Sequence, residues 1–165
     1  MNIRPSQPSD LPSLMTIFRE AQRTIATLGI DQWQNGYPSE AVINNDIACG
    51  HSYVVQQEEA ILGTFVLVDS EPTYDRIYEG QWSADRYLAI HRVAVKVSSR
   101  GTGVADAMIR YASQQAQNRN CEALRVDTHR GNLPMRRMLE KHGFRHCGVI
   151  FLTDGSHRIA YEKRV

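Results

Sequence analysis

The feature that most constrains this chain is a strand that runs almost directly into a glycine-rich helix start. Tyr87–Val95 is dense in apolar and β-branched residues and reads as a strand. A short loop leads to Arg100, Gly101, Thr102, Gly103, Val104 and Ala105, and a helix is predicted over residues 100–119, with Val104, Met108, Ala112 and Ala116 on one face. Backbone N–H groups in the first turn of a helix have no intrahelical partner and carry partial positive charge, so such a start is a ready anion site. Glycines at 101 and 103 leave no side chain in the way of a diphosphate, and Ala105 keeps the next turn slim. A plain tight turn would account for the same glycines. The stretch is not a phosphate-binding P-loop, because no Lys-Ser/Thr follows the glycine. It is not a dinucleotide fingerprint either, because Asp106 stands where the third glycine would be.

The rest of the chain supplies a sheet for this unit. Ile3–Pro5 reads as a first strand, and Ser9 or Asp10 as the cap of a helix in which Leu11, Leu14, Met15, Phe18, Ala21 and Ile25 recur at helical spacing, with Gly29 as its stop. Ser39 caps a second helix over Glu40–Ala48. Ser52–Gln57 and residues 60–69 read as an antiparallel pair, residues 70–86 as a long loop with a helical turn, and Ala123–Thr128 as a strand. A helix over residues 132–142 stops at Gly143, and strands over 144–153 and 158–163 flank an Asp154-Gly155 turn. The order β-α-α-β-β-β-α-β-α-β-β predicts an α/β fold, a mixed sheet covered by helices, as one domain over residues 1–165.

Composition removes several function classes. A formal net charge of +1, with no basic run longer than Arg136-Arg137, gives no electrostatic footprint for nucleic acid. The first residues carry no apolar signal segment, and the apolar run 61–68 is far too short to span a bilayer, so no membrane role and a cytoplasmic location are expected. Cys49, Cys121 and Cys147 are odd in number and widely spaced, which fits reduced thiols. His142, His146 and Cys147 lack a second ligand pair, so no metal is expected.

Arg100-Gly101-Thr102-Gly103-Val104-Ala105 resembles the Arg/Gln-x-x-Gly-x-Gly/Ala signature of the GNAT acyltransferases. Upstream, Ile90-His91-Arg92-Val93-Ala94-Val95 is similar to that family's fourth strand. Downstream, Leu124–Thr128, Asn132 and Glu140-Lys141-His142-Gly143-Phe144 are similar to its fifth strand, its fourth helix and the Gly-Phe that ends it. The resemblance is specific over residues 87–151 and generic before them. It implies a mostly antiparallel sheet of about seven strands with a parallel, splayed pair of fourth and fifth strands, flanked by about four helices. It also implies acetyl-CoA as acyl donor. Its pantetheine arm would pair with the backbone of Val93 and Val95, its diphosphate would lie on the N–H groups of Arg100 through Ala105, and Asn132 would face the pantetheine or thioester region. Asn132 also reads as a helix cap.

Acetyl transfer to an amine needs a base for the amine's proton, a proton source for the leaving thiolate and a donor for the oxyanion. Counting two-residue alternation back from Val93 puts His91 on the same strand face, and a histidine in a similar position serves a proton path in the arylalkylamine acetyltransferases; a packed strand histidine is the competing reading. Many members carry a tyrosine on the fourth helix where this chain has Leu139, so the usual acid is missing, with Tyr161, Cys147 or water as substitutes. Trp33, Tyr37, Tyr74, Tyr78 and Trp82 gather aromatic surface on the expected acceptor side, with Trp33, Tyr37, Tyr78 and His129 as candidate contacts to a small amine or a peptide N-terminus. Loop packing or a homodimer contact would use the same rings. The competing function is a non-catalytic CoA-binding regulatory module.

Overall fold

The computed structural model describes every residue, Met1–Val165. Seven strands form one sheet: β1 (Asn2–Pro5), β2 (Ser52–Gln57), β3 (Ala60–Val68), β4 (Tyr87–Val95), β5 (Ala123–Thr128), β6 (Arg145–Phe151) and β7 (His157–Arg164). Their order is β1-β2-β3-β4-β5-β7-β6. Four helices accompany them: α1 (Leu11–Ala26), α2 (Glu40–Ala48), α3 (Val104–Asn118) and α4 (Leu133–Lys141). β4 and β5 run parallel, whereas β1–β2, β2–β3, β5–β7 and β6–β7 are antiparallel. Their register covers just Tyr87–Ala89 against Ala123–Arg125; beyond it β4 continues to Val95 and β5 to Thr128 without pairing to each other.

The chain divides into two compact units, one of residues 1–67 with 92–108, the other of residues 68–91 with 109–165. In the first, the apolar faces of α1 and α2 (Leu14, Ile17, Phe18, Ala21 and Ile43) bury against Val54 of β2 and Ala94 of β4. Ser39 caps α2 as its sequence predicts, its Oγ accepting the Val42 N–H. Asp10 does not cap α1. Its carboxylate accepts the Gln7 N–H at the preceding 3-10 turn and pairs with Arg4 at 2.8 Å. Gly29 lies in the turn beyond α1, whose C-cap is Thr27.

The predicted helix over residues 100–119 begins later, at Val104, because Gly101 and Gly103 take left-handed backbone at φ 77 and 88. A 3-10 turn, Val97–Ser99, and the glycine turn fill the space before it. Gly63 explains how α3 is seated: a side chain there would stand 2.5 Å from Met108 Cε and 2.9 Å from the Ala94 carbonyl oxygen. The missing Cβ lets the first turns of α3 lie directly on the strand.

The second unit packs Tyr74, Ala89, Ile150 and Ala160 at its core. Residues 70–86, expected to be a loop with one helical turn, contain the 3-10 turn Pro72–Tyr74 and then lie along β6. Tyr78 and Val149 exchange both backbone hydrogen bonds at 2.8 Å, and the Gln81 N–H donates to the Cys147 carbonyl at 3.0 Å. Contact is close enough that a Cβ on Gly80 would sit 1.8 Å from that carbonyl oxygen. The loop is tied down again at Ser83, whose N–H and hydroxyl both donate to Glu162. Glu162 in turn pairs with buried Arg125 at 2.9 Å, and the Arg125 guanidinium lies between the rings of Trp82 and Tyr87 at 4.2 and 4.0 Å.

Candidate functional site

In the first unit, the glycine turn has the open backbone its sequence predicts. Nothing lies within 4 Å of where a Cβ on Gly101 would be, and around Gly103 the nearest atoms stand at 3.7 and 3.9 Å. Thr102 closes the turn by donating its hydroxyl to the Ser99 carbonyl at 2.7 Å. Val104 sends its side chain into the core, so only its backbone faces outward chemistry. The turn is braced on α1: Glu20 accepts the Val97 N–H at 3.0 Å, and Arg100 donates to the Thr24 hydroxyl at 3.1 Å. Val93 and Val95 are half-buried on the stretch of β4 whose only sheet neighbour is β3, which leaves one strand edge for a ligand's amides.

Trp33 and Tyr37 also belong to this unit. Trp33 packs edge-on against Phe18, ring centroids 5.9 Å apart, and against Tyr37 at 6.4 Å, so it is joined to the core cluster. The Tyr37 hydroxyl accepts from Arg92 Nη1. Arg92 also makes a two-pronged pair with Asp46 of α2, at 2.6 and 2.7 Å. Sequence reading passed over Arg92. Its backbone is left-handed, φ 49, which breaks the two-residue alternation of β4. The count that placed His91 on the face of Val93 therefore does not carry through this residue.

His91, Tyr78, His129 and Asn132 lie in the second unit. The His91 side chain meets Glu71, with Nε2 2.9 Å from Glu71 Oε2. The distance is that of an ion pair, yet the ring N–H is not aimed along it, so buried Nε2 makes no well-directed hydrogen bond. The His91 proton beside it, with the Thr73 donors, holds the Glu71 carboxyl down at about 2 against its burial. Tyr74 packs its ring 5.8 Å from the imidazole and donates its hydroxyl to Asp127 at 2.7 Å. Being 1% exposed, Tyr74 is a core residue and offers no acceptor surface. Glu71 had no signal in the sequence, since an acidic residue before a proline in a loop is ordinary.

Tyr78 is exposed, with its ring edge-on to Phe151 at 5.0 Å and Arg76 over its face. His129 serves a turn, its Nδ1 accepting the Gly131 N–H at 2.9 Å. Asn132 caps α4 through Oδ1, which accepts the Met135 N–H at 3.2 Å. Leu139 is fully buried. Of the substitute acids, the Tyr161 hydroxyl accepts from Arg136 and donates to Glu140 at 3.1 Å, and burial pushes it above the ordinary tyrosine range. Burial likewise raises the Cys147 thiol. Cys49, Cys121 and Cys147 are free, no three His, Cys, Asp or Glu side chains come together as a metal site, and no helix is long and apolar enough to cross a membrane.

Comparison with known proteins bears on the family and the fold. An acetyltransferase of the GNAT family from Streptococcus agalactiae 2603 superposes with a TM-score of 0.89 at 35% identity, over 99% of this chain and 95% of that one. A GNAT-family acetyltransferase from Listeria monocytogenes 4b F2365 shares the fold at 20% identity, TM-score 0.74, over 99% and 94% of the two chains. A ribosomal-protein-alanine N-acetyltransferase from Brucella melitensis does so at 20% identity, TM-score 0.70, over the whole of both. No match is found among curated proteins. The acetyltransferase (GNAT) family itself matches residues 12–144. With its seven-stranded mixed sheet, its parallel β4–β5 pair and its four helices matching that fold, the chain belongs to the GNAT acetyltransferase family.

Proposed function

We propose that this protein is an acetyl-CoA-dependent N-acetyltransferase acting on a primary amine of a small molecule or a peptide N-terminus. The observation that carries this reading is the glycine turn at the start of α3, with Gly101 and Gly103 both left-handed, nothing within 4 Å of a Cβ on Gly101, and only Asp106 Oδ2 at 3.7 Å and the Met1 methyl at 3.9 Å near one on Gly103. Of the N–H groups of residues 100–105, that of Arg100 already donates to the Val97 carbonyl at 3.3 Å; those of residues 101–105 would hold a diphosphate there, and the backbone of Val93 and Val95 the pantetheine amides. Acetyl-CoA brings the activated acyl carbon; the protein supplies position and a route for protons. The amine nitrogen attacks that carbon directly, a C–N bond forms, the C–S bond breaks and the thiolate leaves. The amine's surplus proton passes to His91, directly or through water, as an imidazole near neutrality can accept it. Because Leu139 brings no hydroxyl, the thiolate takes its proton from water.

The acceptor class rests on chemistry and not on likeness. The Brucella protein's name concerns a peptide amine, at an identity that speaks for fold alone, so peptides with free N-termini belong on the test panel beside arylalkylamines and diamines. Thermal shift comes first. A ligand at a hundred times its Kd adds about 2.7 kcal/mol, roughly 5–10 °C for a chain of this size. Thiol release over the amine panel follows. Binding with no release from any amine would mean a CoA-binding regulatory module; no shift with acetyl-CoA would remove the donor assignment.

A further inference from the structure

We propose that Glu71 is the positioning residue for His91, turning its Nε2–H inward so that Nδ1 is the nitrogen left to take the acceptor amine's proton. The proposal deepens the reading of His91 as base and depends on it for its consequence in catalysis.

Glu71 is held by hydrogen bonds at every polar atom but one. Its N–H donates to the Tyr87 hydroxyl at 3.0 Å, and its carbonyl lies 3.3 Å from the same hydroxyl. Oε1 accepts both the Thr73 N–H, at 3.1 Å, and the Thr73 hydroxyl, at 2.8 Å. Only Oε2 remains, and it faces His91 Nε2. A carboxylate bound in this way is poorly placed to receive a substrate ammonium; it is built to act on the imidazole. Both side chains are shielded, 16% exposed for His91 and 21% for Glu71, so solvent weakens the pair less than it would at the surface.

The surroundings favour the same role. The titratable groups packed about the pair are Tyr74 from the 3-10 turn, Tyr87 from β4 itself and, behind Tyr74, Asp127 from β5. The Tyr74 hydroxyl is committed to Asp127, so that ring walls one side of the imidazole without competing for Nε2. The Trp82 indole N–H holds the Tyr74 carbonyl at 2.9 Å and fixes the wall. A neutral imidazole beside a carboxylate keeps its single proton on the facing nitrogen, which leaves the lone pair on the other. When Nδ1 takes a proton from the amine, the imidazolium so formed lies against a negative charge already in place, the relation of base and orienting acid that general-base catalysis uses.

The test is 15N NMR of the ring nitrogens in the whole protein, with His91→Ala to assign the signal, together with thiol release against pH. Neutral His91 is expected as the Nε2–H tautomer in the wild type. Glu71→Gln keeps the cap on Thr73 but removes the charge; it should shift the ring toward a mixture of tautomers and move the acidic limb of kcat/KM to lower pH. An Nδ1–H tautomer in the wild type overturns the proposal without need of any variant, and so does an unchanged tautomer ratio in Glu71→Gln. A changed ratio with an unmoved acidic limb overturns it as a statement about the reaction. A wild type that releases no thiol with any amine sinks the acetyl-transfer reading instead, and the tautomer comparison then still decides whether Glu71 sets the state of His91.

Discussion

Two successive residues of β4 carry two very different ion pairs. Arg92 gives Nε and Nη2 to Asp46 and Nη1 to Tyr37, a planar fork filled at each prong. His91 gives its buried Nε2 to Glu71 at contact distance but without a directed hydrogen bond. The first pair ties α2 and the loop before it to the left-handed point of β4. The second leaves the His91 ring against a carboxylate with no hydrogen bond directed at it. Saturation separates them: a buried charge whose partners are all satisfied is scaffold, whereas one left short of a good hydrogen bond is available to a reaction.

That contrast can be broken at either residue. Asp46→Ala strands the buried Arg92 guanidinium and should cost about 3–5 kcal/mol, a fall in Tm of roughly 6–20 °C, read by calorimetry. A cost well under 1 kcal/mol would show that the saturated pair is not scaffold. His91→Ala should leave Tm and acetyl-CoA affinity near wild type but lower kcat/KM for the amine by about 10²–10⁴-fold. Wild-type rates there would make His91 a packed strand residue.

Two smaller effects sharpen the comparison. Leu139→Tyr tests whether the reactive side lacks only a hydroxyl. Leu139 is fully buried, so the larger ring should cost about 1–3 kcal/mol by overpacking, with no gain in turnover at any pH; a faster variant would show that thiolate protonation limits the rate. The acid limb of stability concerns Glu71, which lies at about 2 in the folded chain against an ordinary 4.5. A lowered carboxyl stabilises fully above its unfolded value and loses that contribution as pH falls through the folded one. Tm of the wild type should therefore drop between about pH 4.5 and 2 more steeply than that of Glu71→Gln, by a few degrees in a melting series.

The seven strands, all four helices and the glycine turn were legible because each rests on a local signal, whereas the parallel β4–β5 pair came with the family resemblance. Strand periods, the Ser39 cap and the glycines at 101 and 103 act within a few residues of where they stand. What could not be read depends on the tertiary fold. No residue type announces left-handed backbone at Arg92, and it defeated the alternation count that placed His91. Asp10 looks like a cap until Arg4 claims its carboxylate. Glu71 and His91 meet only because residues 70–86 fold back along β6, held by contacts to Glu162 and Val149 that are distant in sequence. Tyr74 looked like exposed aromatic surface and is core for the same reason.

The close approach of Gly80 to β6 has a consequence for behaviour at high concentration. A sheet's last strand offers unpaired N–H and C=O groups on which another chain can polymerise. On the β6 side the Tyr78–Val149 bridge and the Gln81 N–H already occupy part of that edge, and the wedge at Gly80 leaves no depth for a foreign strand to slide beneath. β1, at the opposite margin, is four residues long and ends in Pro5, which has no N–H to offer. Neither margin is a template, so aggregation by strand addition should begin only where residues 77–81 have first peeled away from β6.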